Sequence, residues 1–190
     1  SYVEQAEEWV GILDRHYGDP ENGGYFFTPD DATDLILRTR TAHDHATPSG
    51  NGMMAQLLAK LFLITGKDAY REKAQAILDA FAGEAVKGFP SLATLVSASD
   101  ILARPLHVVI VGDRKDEKTQ ALIGEAYGLA LPNVVLSVYE KAGERPPLHP
   151  LCGKQMEGGK PTAYVCSISG CTPPVTDAKE LKICLEEMVQ

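Results

Sequence analysis

Positions 43 to 51 read HDHATPSGN, which sets one carboxylate, Asp44, between two imidazoles, His43 and His45, just ahead of small polar residues that start helices. A carboxylate and a histidine held together can carry protons near neutral pH, as sugar isomerisation beside a carbonyl requires. Glycoside hydrolysis needs a second carboxylate at a defined separation, and Asp19, Glu21, Asp30 and Asp31 are the nearby supply. Upstream, GGYFFTPDD (Gly23 to Asp31) brings Tyr25, Phe26 and Phe27, whose ring faces can stack on a sugar. On this reading Asp44, His43 and His45 are catalytic, and Tyr25, Phe27, Ser49 and Asn51 bind a sugar-like small molecule. Each group also has a purely structural reading: Asp44 as a cap ordering the PSGN turn, the histidines as an exposed pair, the acids as turn formers, and the aromatics as packing.

A second set of candidates lies near the C-terminus. His149 and Cys152 form H-x2-C, and Cys166 and Cys171 form C-x4-C. Four such N/S ligands would clamp the intervening loop around zinc; a Cys166–Cys171 disulfide and two reduced thiols are the other states the spacing allows. No cofactor is otherwise expected, with zinc the alternative. The chain has no C-x-x-C of the thioredoxin type, and VVIVGDRKDE lacks both the G-x-G-x-x-G and the Walker spacing, so neither redox catalysis nor a phosphate cradle is expected.

The elements that must position these residues fall into two grammars. Val3, Ala6, Val10, Leu13 and Tyr17 recur at helical spacing, with Trp9 and Ile12 widening the stripe, which predicts a helix from Tyr2 to Tyr17. GDPENGG is turn chemistry, and Tyr25 to Phe27 with Leu35 to Arg38 then predicts a small β-hairpin. Ser49 is placed to cap a helix running to Thr65, buried through Met53, Met54, Leu57, Leu58, Leu61 and Phe62 and stopped by Gly66. Asp68 caps a third helix to about Ala85, and SLATLVSASDILA after Pro90 makes a fourth, apolar nearly all round. From Arg104-Pro105 onward the chain reads strand, helix, strand: His107 to Val111, Asp116 to Ala130, Asn133 to Tyr139. Such a unit predicts parallel strands with a right-handed crossover, joined by a third strand, Thr162 to Ser167, before a last helix, Asp177 to Met188. Glu140 to Pro161, rich in Pro and Gly, reads as a long surface loop. The fold class is therefore α+β, with a helical region at 1–104 carrying a β-hairpin insert and a small α/β region at 105–190 built on a mainly parallel sheet with flanking helices.

Composition narrows the function. A net charge of −8 without any Lys/Arg cluster argues against nucleic acid. The longest apolar run, Leu57 to Thr65, is too short to cross a bilayer and carries Lys60, so no membrane partner is expected. Four cysteines in 190 residues are too few for a disulfide scaffold and read by default as reduced thiols of a cytoplasmic protein.

The order GGYFF, PSGN at a helix start, VVIVGD, then PTAYVCSISGC and TPPVTD resembles the C-terminal region of the YyaL-type and spermatogenesis-associated thioredoxin-domain proteins. The resemblance covers nearly the whole chain. It implies an N-terminal thioredoxin-like domain, absent from this chain, and a toroid of six helical hairpins related to N-acylglucosamine 2-epimerase, of which four helices form only part. It also matches Asp44 to the family's acid in an Asp-x-Ala-x-Pro-Ser-Gly-Asn pattern. The chain is accordingly expected to be an uncharacterised fragment of a YyaL-like protein, carbohydrate-active or sugar-isomerising, and the alternative is a non-catalytic scaffold or binding module supporting the thioredoxin-like domain. Helix faces laid bare by truncation would be covered in a homo-oligomer.

Overall fold

The computed structural model describes residues 2–129, 131, 133–141 and 149–189. The chain divides into two compact units: Ser1–Phe62 with Asp68–Leu102, and Leu63–Lys67 with Ala103–Gln190.

The first unit holds α1 (Tyr2–His16), α2 (Gly50–Thr65) except its last turn, α3 (Asp68–Gly88), a 3-10 turn (Phe89–Leu92) and α4 (Ala93–Ala103) except its last residue. Val10 is the fully buried residue of α1, whereas Trp9 and Ile12 are exposed. At 100° per residue they stand well round the helix from Val10, so the stripe is narrower than its apolar content suggests. In α2 the buried arc is Asn51, Met54, Ala55, Leu58, Ala59 and Leu61. Met53 and Leu57, expected inside, are exposed, because the small side chains Ala55 and Ala59 occupy the buried centre. Gly66, at φ 71°, ends the helix as anticipated.

The expected β-hairpin does not form a ladder. Between α1 and α2 the chain is irregular, with a single bridge at Gly18–Tyr25 and one cross-pair, Phe27 N donating to Thr39 O at 2.9 Å. The groups a ladder would use are committed elsewhere. Asp30 N donates to His16 O of α1 at 2.9 Å, and Arg38 donates to Thr28 O through Nη2 at 2.8 Å and to His16 O at 2.9 Å. Leu35, Ile36 and Leu37 of the expected second strand are exposed.

The second unit is a two-layer α/β arrangement: β1 (Leu106–Val111), α5 (Glu117–Gly128), β2 (Val134–Tyr139), β3 (Thr162–Ser167), β4 (Gly170–Cys171) and α6 (Ala178–Val189). Sheet order is β2-β1-β3-β4. β1 pairs with β2 in parallel, Leu106 facing Val134 through to Val111 facing Tyr139. The pairs β1–β3 and β3–β4 are antiparallel, so the sheet is mixed, correcting the expected mainly parallel one. The reason lies in where the chain re-enters. β2 ends beside Val111 and β3 begins opposite the same Val111, so the strand starts at the end where its predecessor stopped and must run back.

β1 is buried on both sides. Leu106, Val108 and Ile110 pack with Ala163 and Val165 against Leu122 and Ala126 of α5 and Leu181 and Leu185 of α6, which lie together on one face. Val109 and Val111 pack on the other face with Tyr164 and Leu151. His107, on that second face, is 4% exposed, and its Nε2 lies 2.9 Å from Ser137 Oγ. Burial, with Lys154 and His149 nearby, lowers its pKa from 6.5 to about 4. Asp116 caps α5 by accepting from Thr119 N at 3.0 Å.

Candidate functional site

Asp44 is held by backbone at three points. Its own N–H donates to Ser91 O at 2.6 Å, its Oδ1 accepts from Ser49 N at 2.8 Å, and its Oδ2 accepts from Thr94 N at 2.8 Å. Ser49 immediately precedes α2, and Thr94 is the second residue of α4. One carboxylate therefore serves the starts of two helices, where free N–H groups and the macrodipole both favour negative charge. Burial alone would raise the carboxyl's pKa, but the Thr94 and Ser49 donors outweigh it and hold the group below its ordinary value.

The other PSGN residues complete the junction. Ser49 Oγ accepts from Gly52 N at 3.1 Å, as an N-cap does. A Cβ on Gly52 would stand 2.8 Å from Ser49 Oγ and from Thr94 Cβ, so glycine is what lets α2 approach α4 this closely. Asn51 is buried; its Oδ1 accepts from Tyr25 N at 2.7 Å, and its Nδ2 donates to Tyr25 O and Thr41 O, both at 2.9 Å. That amide stitches the GGYFF segment to α2. Gly23, at φ 75°, would place a Cβ 2.7 Å from Ala76 O, so the Gly-Gly turn is pressed against α3.

The histidines do not join Asp44 in one constellation. His43 Nε2 lies 3.2 Å from Glu84 Oε2, and the exposed His45 bonds Thr47 O through its backbone N–H. Of the expected second carboxylates, Asp19 accepts from Glu21 N and Asn22 N, both at 3.1 Å, and pairs with Arg40 Nε at 3.3 Å. Burial acts to raise its pKa, and the Asn22, Glu21 and Arg40 contacts more than reverse this. Asp30 pairs with His16 Nδ1 at 3.0 Å, which lowers the Asp30 carboxyl.

Among the described residues, two cavities flank this region. One, of about 430 Å³, is lined by Asp14, His16, Asp19, Tyr25, Asp30 and Lys73, among others. It gathers two of the candidate carboxylates together with a group the sequence reading overlooked. Tyr25 donates its hydroxyl to Asp14 Oδ1 at 2.5 Å, and Lys73 Nζ pairs with Asp14 Oδ2. Burial and then the Asp14 contact push the Tyr25 phenol well above its ordinary pKa. Tyr70, bonded to Glu7 Oε1 at 2.8 Å, is likewise raised, to about 12, by burial first and that bond second. The other cavity, about 260 Å³, is an apolar groove formed by Leu13, Tyr17, Phe26 and Met54 beside three of the four expected substrate-binding residues, Tyr25, Phe27 and Asn51. Asp44, His43 and His45 line neither cavity.

The zinc alternative loses two ligands, because Cys166 and Cys171 are joined in a disulfide while Cys152 and Cys184 are free. The default reading of four reduced thiols is corrected at the same point. Among the described residues no group of three or more His, Cys, Asp or Glu side chains is arranged to hold a metal.

An alignment of 191 positions that covers 96% of this chain is 32% identical to human spermatogenesis-associated protein 20. The chain is homologous to that protein. The rat protein of the same name is 30% identical over 98% of the chain, and an uncharacterised Caenorhabditis elegans protein 28% over 95%. The chain spans about a quarter of the length of the curated relatives it matches. No family model matches it. No helix among the described residues is long and apolar enough to cross a membrane.

Sequence reasoning missed Asp14, Lys73 and Arg40. Asp14 and Lys73 meet across helices 59 residues apart in the chain, which no local pattern displays. The R-T-R spacing of Arg38 and Arg40 was the available signal; both guanidiniums bind loop carbonyls, and they lie over the Phe26 and Phe81 rings at 4.2 and 5.4 Å.

Proposed function

We propose that this chain is a non-catalytic scaffold module, in which the PSGN and GGYFF segments build a rigid support rather than a reactive centre. The observation that carries the reading is Asp44. Both of its oxygens already accept backbone amides, and the same contacts hold its pKa down, which makes it a poor general acid and a weak base. With relatives about four times as long, the support would be given to another part of a larger protein, and the family resemblance makes a thioredoxin-like domain the candidate. The origin of the four helices as hairpins of an (α/α) toroid belongs to the same proposal.

The carbohydrate reading keeps one specific support in its binding half: Tyr25, Phe27 and Asn51 meet at an aromatic-lined groove of a kind on which a sugar ring stacks. One experiment separates the two. Melting of the chain is followed against a panel of sugars and sugar phosphates, with Phe27→Ala as the control. The scaffold reading expects a flat panel. A ligand at about a hundred times its dissociation constant adds about 2.7 kcal/mol, and such a rise, lost in Phe27→Ala, would replace scaffold by sugar binding.

For the homo-oligomer, we propose that a second copy covers the exposed Trp9 and Ile12 of α1. Light scattering that returns a monomer at high concentration would count against it. A cytoplasmic location and a closed Cys166–Cys171 bond pull in opposite directions, since reducing compartments keep thiols open.

A further inference from the structure

β3 and β4 form a hairpin in which Cys166 directly faces Cys171. Facing residues of an antiparallel pair bring their Cβ atoms close, and here the two sulfurs are bonded. The hairpin does not depend on that bond alone. Ser167 pairs with Gly170, Thr172 N donates to Val165 O at 2.8 Å, and Val165 N donates to Thr172 Oγ1 at 3.2 Å. Ala163 and Val175 exchange backbone bonds at 2.7 and 2.9 Å, while β1 holds β3 from Val111–Thr162 to His107–Cys166. The covalent link closes a loop of only five residues' separation, the short-loop limit where cross-linking constrains an unfolded chain least.

The two sulfurs differ in access. Cys166 is half-buried and packs against the cluster of Val109, Val111, Leu151 and Tyr164, whereas Cys171 is exposed on a two-residue edge strand. Attack on a disulfide is decided by which sulfur can be reached. Of the free thiols, Cys184 packs on the opposite face of the sheet, against α5 and α6. Cys152 is exposed and follows Leu151 of the cluster that Cys166 touches, so it is the thiol any test must remove.

We propose that Cys166–Cys171 is a thiol–disulfide exchange site that accepts two electrons from a protein dithiol. One thiol of the dithiol gives its proton to water, and the thiolate bonds to Cys171 Sγ. The Sγ–Sγ bond breaks, and its electron pair leaves on Cys166, which takes a proton from water. The dithiol's second thiol then gives its proton to water, its thiolate attacks the dithiol sulfur bound to Cys171, and Cys171 departs as a thiolate and takes a proton from water. The dithiol ends as a disulfide, and Cys166 and Cys171 end as thiols.

The test uses the full chain carrying Cys152→Ser. Dithiothreitol is added under native conditions, new thiols are alkylated and located by mass spectrometry, and global unfolding is timed in parallel. Cys166 and Cys171 are expected to become labelled together, at least about tenfold faster than the chain unfolds, with the circular dichroism of the folded state retained and the bond restored by oxidised glutathione. Opening only at the unfolding rate would overturn the proposal. So would failure of the Cys166→Ser/Cys171→Ser variant to fold, because the bond would then be a structural staple. A C-x-x-C oxidoreductase with its second cysteine replaced by serine should be trapped on Cys171; capture on Cys166, or no capture, contradicts the assigned order of attack.

Discussion

Replacing Asp44 by asparagine separates a structural carboxylate from a reactive one. The Asp44→Asn side chain can still accept one backbone amide through its remaining oxygen, but it turns an NH2 group toward the other donor and removes the charge from both bonds. A hydrogen bond to a charged group is worth about 1.5–3 kcal/mol. One such bond is lost outright and one becomes neutral, and partial exposure of Asp44 weakens both, so a destabilisation of about 2 kcal/mol is expected. Urea denaturation at pH 7 reads this as a lower midpoint at unchanged slope. The sign of the pH dependence follows from the depressed folded pKa. The folded carboxyl holds its proton less tightly than the unfolded one, so the stabilisation is complete above the unfolded value of 3.8 and disappears as pH falls through the lower folded value. The gap between the parent and Asp44→Asn should therefore close below about pH 3.8. Catalytic groups are commonly held at a cost to stability, and their removal is neutral or stabilising. A variant as stable as the parent, or more stable, would refute the structural assignment.

Asn51→Ala leaves three backbone groups without the partner they have now; a loss of about 3 kcal/mol is expected, with faster hydrogen exchange at Tyr25 N–H than elsewhere in the unit. Gly23→Ala forces a positive φ and a 2.7 Å approach to Ala76 O, and should lower stability by about 2 kcal/mol or more in a thermal melt. His107, held neutral by burial, binds its proton later than in the unfolded chain, so stability should decline as pH falls from about 6.5 towards 4, by about 3 kcal/mol in all. His107→Gln should remove most of that slope, and an imidazole that titrates near 6.5 by NMR would contradict the burial argument.

Helices and strands were legible wherever their cause is local. Ser49 and Gly66 bound α2, and the β-branched run at His107–Val111 makes β1, because capping and alternation act over a few residues. Strand direction was not legible, since it depends on where the chain returns after Tyr139, which no window of sequence contains. The Leu35–Arg38 segment looked like a strand on apolar content, yet Arg38 takes the Thr28 carbonyl that a partner strand would have used. Asp44 was readable as an acid at a helix start; its second partner, Thr94, lies 50 residues on and changes what the acid is for. Spacing left Cys166 and Cys171 open among three states, and facing one another across the hairpin separates them.

The most direct measurement is the pH titration of the Ser49 and Thr94 backbone amides by NMR. If Asp44 joins the two helix starts, both amide protons shift together with a single midpoint below the ordinary carboxylate value of 3.8. A midpoint near or above that value, or a response at only one amide, would show that the carboxylate is free for other chemistry and would contradict the scaffold account.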